Sequence, residues 1–163
     1  MLLSILMQTP ESLRIEHEEL HAELAALVAD TGEVGAAARE VAALLHAHFE
    51  GEEELATPLL GLLPEVATGG IERGLEPAAA LAQRLKFQLP QMFAEHRAIV
   101  TALERLAGAV TPEARPDVAQ FVRKLRLHAQ TEEEVLYPAA IIVGALIEAK
   151  LRCGESAPER RAA

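Results

Sequence analysis

The feature that most constrains this chain is a stretch that occurs twice. His128-Ala-Gln-Thr-Glu132-Glu-Glu-Val-Leu-Tyr-Pro138 has an earlier twin in His48-Phe-Glu-Gly-Glu52-Glu-Glu-Leu-Ala-Thr-Pro58. Each copy places a Glu four residues after a His, follows it with two further Glu, and puts Pro ten residues after the His. Four residues of α-helix advance about 400° and about 6 Å, so the His and Glu stack on one face. That spacing brings an imidazole and a carboxylate within reach of one metal ion. The copies lie 80 residues apart, about half of the 163-residue chain. Two more histidines follow nearly the same rule, His17 standing 31 residues before His48 and His96 standing 32 before His128. A single His-x-x-x-Glu is common on ordinary helices, whereas a repeat in metal-ligand residue types is not expected from chance.

Taken in order, the chain reads as four amphipathic helices. Thr9-Pro10-Glu11 is a start signal, an N-cap oxygen followed by Pro at the first helical position. The first helix runs to about Thr31-Gly32, with Leu13, His17, Leu20, Leu24 and Leu27 on its inward stripe. The second spans about Val34 to Leu60 and turns Val41, Leu44, His48, Glu52 and Leu55 inward, while His46 faces water. Gly61 to Pro77, with four Gly and two Pro, reads as a long connection between the halves. The third helix, about Ala78 to Ala107, places Leu85, Leu89, Met92, His96, Val100 and Leu103 inward, and Pro90 predicts a kink or a late start. Pro112 and Pro116 introduce the fourth, with Phe121, His128, Glu132, Val135 and Ala139 inside. Pro58 and Pro138 are each expected to bend or end a helix beyond the Glu. The segment from Gly154 onward reads as a disordered tail.

These elements predict an all-α fold, an antiparallel up-down four-helix bundle with axes about 20° apart and an internal two-fold pseudo-repeat. A helical extension is expected at the C-terminal end. One domain covers residues 1–163, the bundle occupying about 10–150. Apolar residues make up 50% of the chain but only 3% are aromatic, which favours close-packed helices over a β core. A formal net charge of −10 argues against nucleic acid as a partner, since phosphate binding needs a basic footprint. Cys153 is the single cysteine, so no intramolecular disulfide forms. The N-terminus lacks a basic secretory n-region, and the longest apolar run, residues 135–147, is too short for a transmembrane helix. The expected location is cytoplasmic, without membrane contact. Residues 139–145 are apolar around the whole helix circumference, which predicts packing against a second copy through 135–147 or against the 61–77 connection.

Each helix carries one His at the middle of its apolar face. Burying four His with Glu52 and Glu132 in one core is costly unless they pair or ligate metal. A purely structural polar layer is the competing expectation. Six protein ligands exceed what one tetrahedral ion takes. The expected arrangement is two ions, with His17 and His48 on one, His96 and His128 on the other, and Glu52 and Glu132 bridging. Mixed imidazole and carboxylate ligation with open positions favours iron, and manganese or zinc suits the same donors. Glu53, Glu54, Glu133 and Glu134 read as a solvated face, Tyr137 as packing, and Lys124 as a side chain that snorkels outward or shapes an opening.

The chain resembles the hemerythrin-like, HHE cation-binding family on His17, His48-Glu52 (with Phe49, Glu53 and Pro58), His96, and His128-Glu132 (with Glu133 and Pro138). The resemblance covers about residues 10 to 145. It implies a non-haem di-iron centre within a four-helix bundle, and a role with oxygen, nitric oxide, peroxide or iron. Oxygen-carrying hemerythrins place two His four apart on the third helix and bridge with a later Asp. Here Val100 follows His96 by four, Met92 precedes it by four, and Glu132 stands in place of the Asp. His21, four after His17, is the additional candidate ligand, because the pseudo-repeat makes the first and third helices equivalent. The expected function is binding or sensing a small diatomic ligand or peroxide. An enzyme that decomposes peroxide or oxidises iron is the alternative, as is an interaction module with a structural metal.

Overall fold

The computed structural model describes residues 7–70 and 75–155, with side chains to Cys153. Among them every regular element is helical: α1 (Glu11–Val28), α2 (Gly32–Leu55), the short α3 (Thr57–Leu60) and α4 (Leu63–Thr68), α5 (Glu76–Gly108), α6 (Pro116–Thr131) and α7 (Tyr137–Glu155). A π-helical turn, Glu132–Leu136, joins α6 to α7. No helix among the described residues is long and apolar enough to cross a membrane.

Local sequence accounts for most of the boundaries. Pro10 caps α1, one residue later than the Thr9 cap expected, and the Thr9 hydroxyl instead lies 2.8 Å from that of Thr57. Both twin prolines mark the break expected of them, since Pro58 and Pro138 each occupy the second residue of a new helix. That position tolerates the missing N–H. Pro90 does not delay α5, which begins at Glu76 and continues through it to Gly108. The 61–77 connection is not bare loop: α4 lies within it and ends on Gly69 in the left-handed region, φ 80°. The predicted tail begins with Gly154 and Glu155 inside α7, and its remainder lies outside the described residues.

The apolar core has two parts. The first joins Leu20, Leu24 and Leu27 of α1 to Val41, Leu45 and Phe49 of α2, Ile99 and Leu103 of α5, and Phe121 and Leu125 of α6. The second joins Leu55, Leu59 and Leu60 to Leu81, Leu85 and Met92 of α5 and to Tyr137, Ala140, Val143 and Ile147. The long helices pass between these parts in alternating directions. From N- to C-terminus, α2 and the α6–α7 run go from the first part to the second, whereas α5 goes from the second to the first. Residue Leu13, packed on the second part, gives α1 the direction of α5. Neighbours form a ring in which α1 meets α2 and α6, and α5 meets α2 and α6.

The π turn changes which face of the last run is buried. Its extra residue rotates everything beyond it by about one position, or about 100°. Val135, expected inside, is therefore 55% exposed, and Tyr137 is fully buried. α7 packs on α5, α3 and α4, so the apolar 135–147 segment does meet the connection, as predicted. At Gly144 the approach is close: a Cβ there would stand 2.0 Å from that of Ala82.

Candidate metal centre

Between the two parts of the core every long helix contributes a polar residue. His17, His48, Glu52, His96, His128 and Glu132 are each at most 4% exposed. All six predicted site residues thus meet in one buried layer. They form two groups whose ligating atoms lie within 4.8 Å of one another: His17, Glu52, His128 and Glu132 in one, and His48, His96 and Glu132 in the other. Two atoms bound to one ion at about 2.0–2.2 Å stand at most about 4.4 Å apart, so a small inward shift suffices.

The pairing differs from the expected one. His17 joins His128 rather than His48, and His96 joins His48, so the His pairs link α1 to α6 and α2 to α5. Each pair draws one His from each half of the chain. Only Glu132 belongs to both groups; Glu52 belongs to the first.

Glu132 is the hub. Its Oε1 lies 2.6 Å from His128 Nε2 and its Oε2 3.0 Å from His96 Nε2 and 3.7 Å from His48 Nε2. His17 Nε2 stands 3.6 Å from Glu52 and 3.9 Å from Glu132. Close as they are, Glu52 Oε2, His128 Nε2 and both Glu132 oxygens have no aligned hydrogen-bond partner among the described residues. Buried polar atoms are nearly always satisfied. Several orphans in one small volume, near each other yet misaligned for mutual hydrogen bonds, fit a donor set that converges on a metal ion.

Electrostatics follow from the burial. Desolvation, and then the facing Glu132, hold the Glu52 carboxyl well above the usual carboxylate range. Burial opposes ionisation of Glu132 too, but its contacts with His128, His48 and His96 prevail and hold it well below that range. Burial, with His128 close by, lowers His17 to about 4, so its ring is the neutral imidazole that metals bind. Burial also works against His96 and His128, but Glu132 outweighs it, and both are raised.

The outward nitrogens have partners that the sequence reading missed. His96 Nδ1–H donates to Glu133 at 2.8 Å, His48 Nδ1–H donates to Glu95 at 3.1 Å, and His128 Nδ1 lies 3.2 Å from Glu16. Such acids fix the tautomer and ring orientation of a ligating His. Glu133 is therefore not simply part of a solvated face, although its twin Glu53 is exposed. The available signal was the Glu-His dipeptide, which occurs at Glu16-His17 and Glu95-His96, each Glu serving the His of a neighbouring helix. His17 Nδ1 alone has no described partner; that ring stacks on Phe49 at 4.1 Å. Tyr137, read as packing, also belongs here: its hydroxyl is 3.3 Å from His96 Nε2, and its ring lies along the His96 ring. Burial and then Glu52 raise that phenol, which stays protonated.

His21 does not enter either group. It is exposed and meets Phe49 edge-on, with centroids 5.0 Å apart. His46 faces water as expected, beside Glu50. The Lys124 ammonium points outward to Glu19 and Glu23.

No family model, curated protein or solved structure matches this chain. Its function is therefore argued from the layer itself.

Proposed function

We propose that this is a hemerythrin-like protein, an antiparallel four-helix bundle with a two-fold pseudo-repeat, which holds two non-haem iron ions and binds or senses a small ligand. The observation that carries the reading is the set of misaligned, partnerless donor atoms on Glu52, His128 and Glu132, with His17, His48 and His96 around them. His17, His128 and Glu52 would hold the first ion, His48 and His96 the second, and Glu132, which belongs to both groups, would serve both. Bound iron would supply redox change and an open position for oxygen, nitric oxide or peroxide. The residues do the remainder: Glu95 and Glu133 hold imidazoles in one tautomer, the two apolar parts exclude bulk water, and Glu132 shares its charge between the positions. A second copy of the chain is the proposed partner, through the outward face of 135–147.

Metal analysis of protein produced with ample iron tests this directly. About two ions per chain are expected, with absorption in the near-ultraviolet and visible that changes on exposure to oxygen and that the zinc-loaded protein lacks. Glu132→Ala should lose both ions and His46→Ala neither. One ion per chain, or none, contradicts the six-ligand assignment.

A further inference from the structure

The donor atoms of the two groups differ in number, in charge and in how far they satisfy one another. His17, Glu52, His128 and Glu132 are two imidazoles and two carboxylates, the four donors of a complete tetrahedral set. His48, His96 and Glu132 are three, and their carboxylate is the shared one. Glu132 divides itself between the groups: Oε1 is the oxygen near His128 and His17, and Oε2 is the one near His96 and His48. The ligating atoms without an aligned partner among the described residues are spread unevenly. Glu52 Oε2, His128 Nε2 and Glu132 Oε1 belong to the first group, whereas the second has only Glu132 Oε2. The ring nitrogens of the second group meet each other instead. His48 Nε2 lies 2.9 Å from His96 Nε2 in an aligned contact, and the Tyr137 hydroxyl is 3.3 Å from the same His96 nitrogen.

These differences bear on protein that holds a single ion. An ion on His17, Glu52, His128 and Glu132 Oε1 gives every orphan of its own group a partner. It leaves the His48–His96 contact, and Glu132 Oε2 beside His96, as they are. An ion on His48, His96 and Glu132 Oε2 breaks that contact and still leaves Glu52 Oε2 and His128 Nε2 orphaned, which is costly in a dry interior. The second group has one advantage. Glu95 and Glu133 orient both of its imidazoles, whereas in the first group Glu16 stands by His128 and His17 Nδ1 has no described partner. The difference is one orienting acid, and such an acid is worth about 10–100-fold in metal affinity. A missing carboxylate ligand removes a metal bond and a negative charge together, so the donor count prevails. We propose that the two positions fill in order, through a one-ion state in which a divalent ion sits on His17, Glu52, His128 and Glu132. The His48–His96 position fills only at higher metal concentration. The class of ion is one that accepts four nitrogen and oxygen donors, as zinc and cobalt(II) do. This rests on the two-metal reading above.

Cobalt(II) is a suitable probe, because four-coordinate cobalt absorbs far more strongly in the visible than the hydrated ion. Titrated into metal-depleted full-length protein against a competing chelator, it should bind in two resolved steps, the first at least about 10-fold tighter than the second. His48→Ala should keep the tight equivalent, with the parent's first-step spectrum, and lose the weak one. His17→Ala should lose the tight equivalent. The parent titration decides even where a variant fails to fold: a single indivisible step of two ions overturns the order and leaves the two-metal reading intact. Tight uptake that survives in His17→Ala and is lost from a folded His48→Ala also overturns it, since the order is then reversed. Saturation at one ion under a large excess of cobalt, or no uptake at all, instead overturns the two-metal reading on which the order stands.

Discussion

At the scale of single residues, the metal-free layer is a proton store. Glu52, His96 and His128 all keep their protons to higher pH than they would in water, Glu52 because it is buried and faces Glu132, the two His because Glu132 outweighs their burial. A metal must displace those protons before it binds. The sign follows: apparent affinity falls as pH falls, and uptake releases protons. His17, lowered to about 4, adds none near neutrality. Zinc affinity measured against a competing chelator should therefore rise steadily from about pH 6 to about pH 8, where His titration is centred. A flat profile would contradict the protonation pattern. His21→Ala, by contrast, should leave both ions in place, since that ring is exposed and touches only Phe49 among the rings of the site. Metal content of the variant checks this. Loss of an ion would restore His21 as a ligand.

At the scale of elements, the π turn decides more than its five residues suggest. Such bulges recur at functional sites, and here one carries Glu132 and Glu133 and rotates Tyr137 into the layer. Regular helical periodicity points to His128, Glu132, Val135 and Ala139 as one face, and it is right up to Glu132. It fails afterwards because one inserted residue is invisible to a fixed period. The same limit explains the missed acids: Glu133 reads as outward on a regular helix, and the contacts of Glu16 and Glu95 cross between helices. The pairing of histidines likewise depends on how rings from different helices meet, which spacing within one helix does not encode. What spacing did encode was each layer residue's place on its own helix, and the inward position of all six was legible from that. Farther along, α7 approaches α5 so closely at Gly144 that a methyl group would collide with Ala82. Gly144→Ala should cost about 1–3 kcal/mol, as overpacking does. In a chain of this size that lowers Tm by about 2–4 °C per kcal/mol. Thermal unfolding of the variant tests it, and an unchanged Tm would mean that α7 stands farther from α5.

At the scale of the whole molecule, one face of α7 is left apolar toward solvent. Ile142 and Leu146, four apart on α7, are 61% and 43% exposed, and Val135 of the π turn before it is 55% exposed. Sedimentation should report a dimer that Ile142→Glu disperses; a monomer at all concentrations would remove the second copy as partner. The repeat in the sequence invites another picture, of two similar halves that meet at a seam. Each half is an antiparallel hairpin, α1 on α2 and α5 on α6, but it does not close the core by itself. Each part of the core takes side chains from both halves, and each His pair takes one His from each. The repeating unit of the sequence is thus not expected to fold by itself. Cutting the backbone between Gly69 and Gly70 would leave two fragments, each holding half of two cores and half of two His pairs. Neither should fold alone, but mixed together they should reassemble, and zinc should tighten their union.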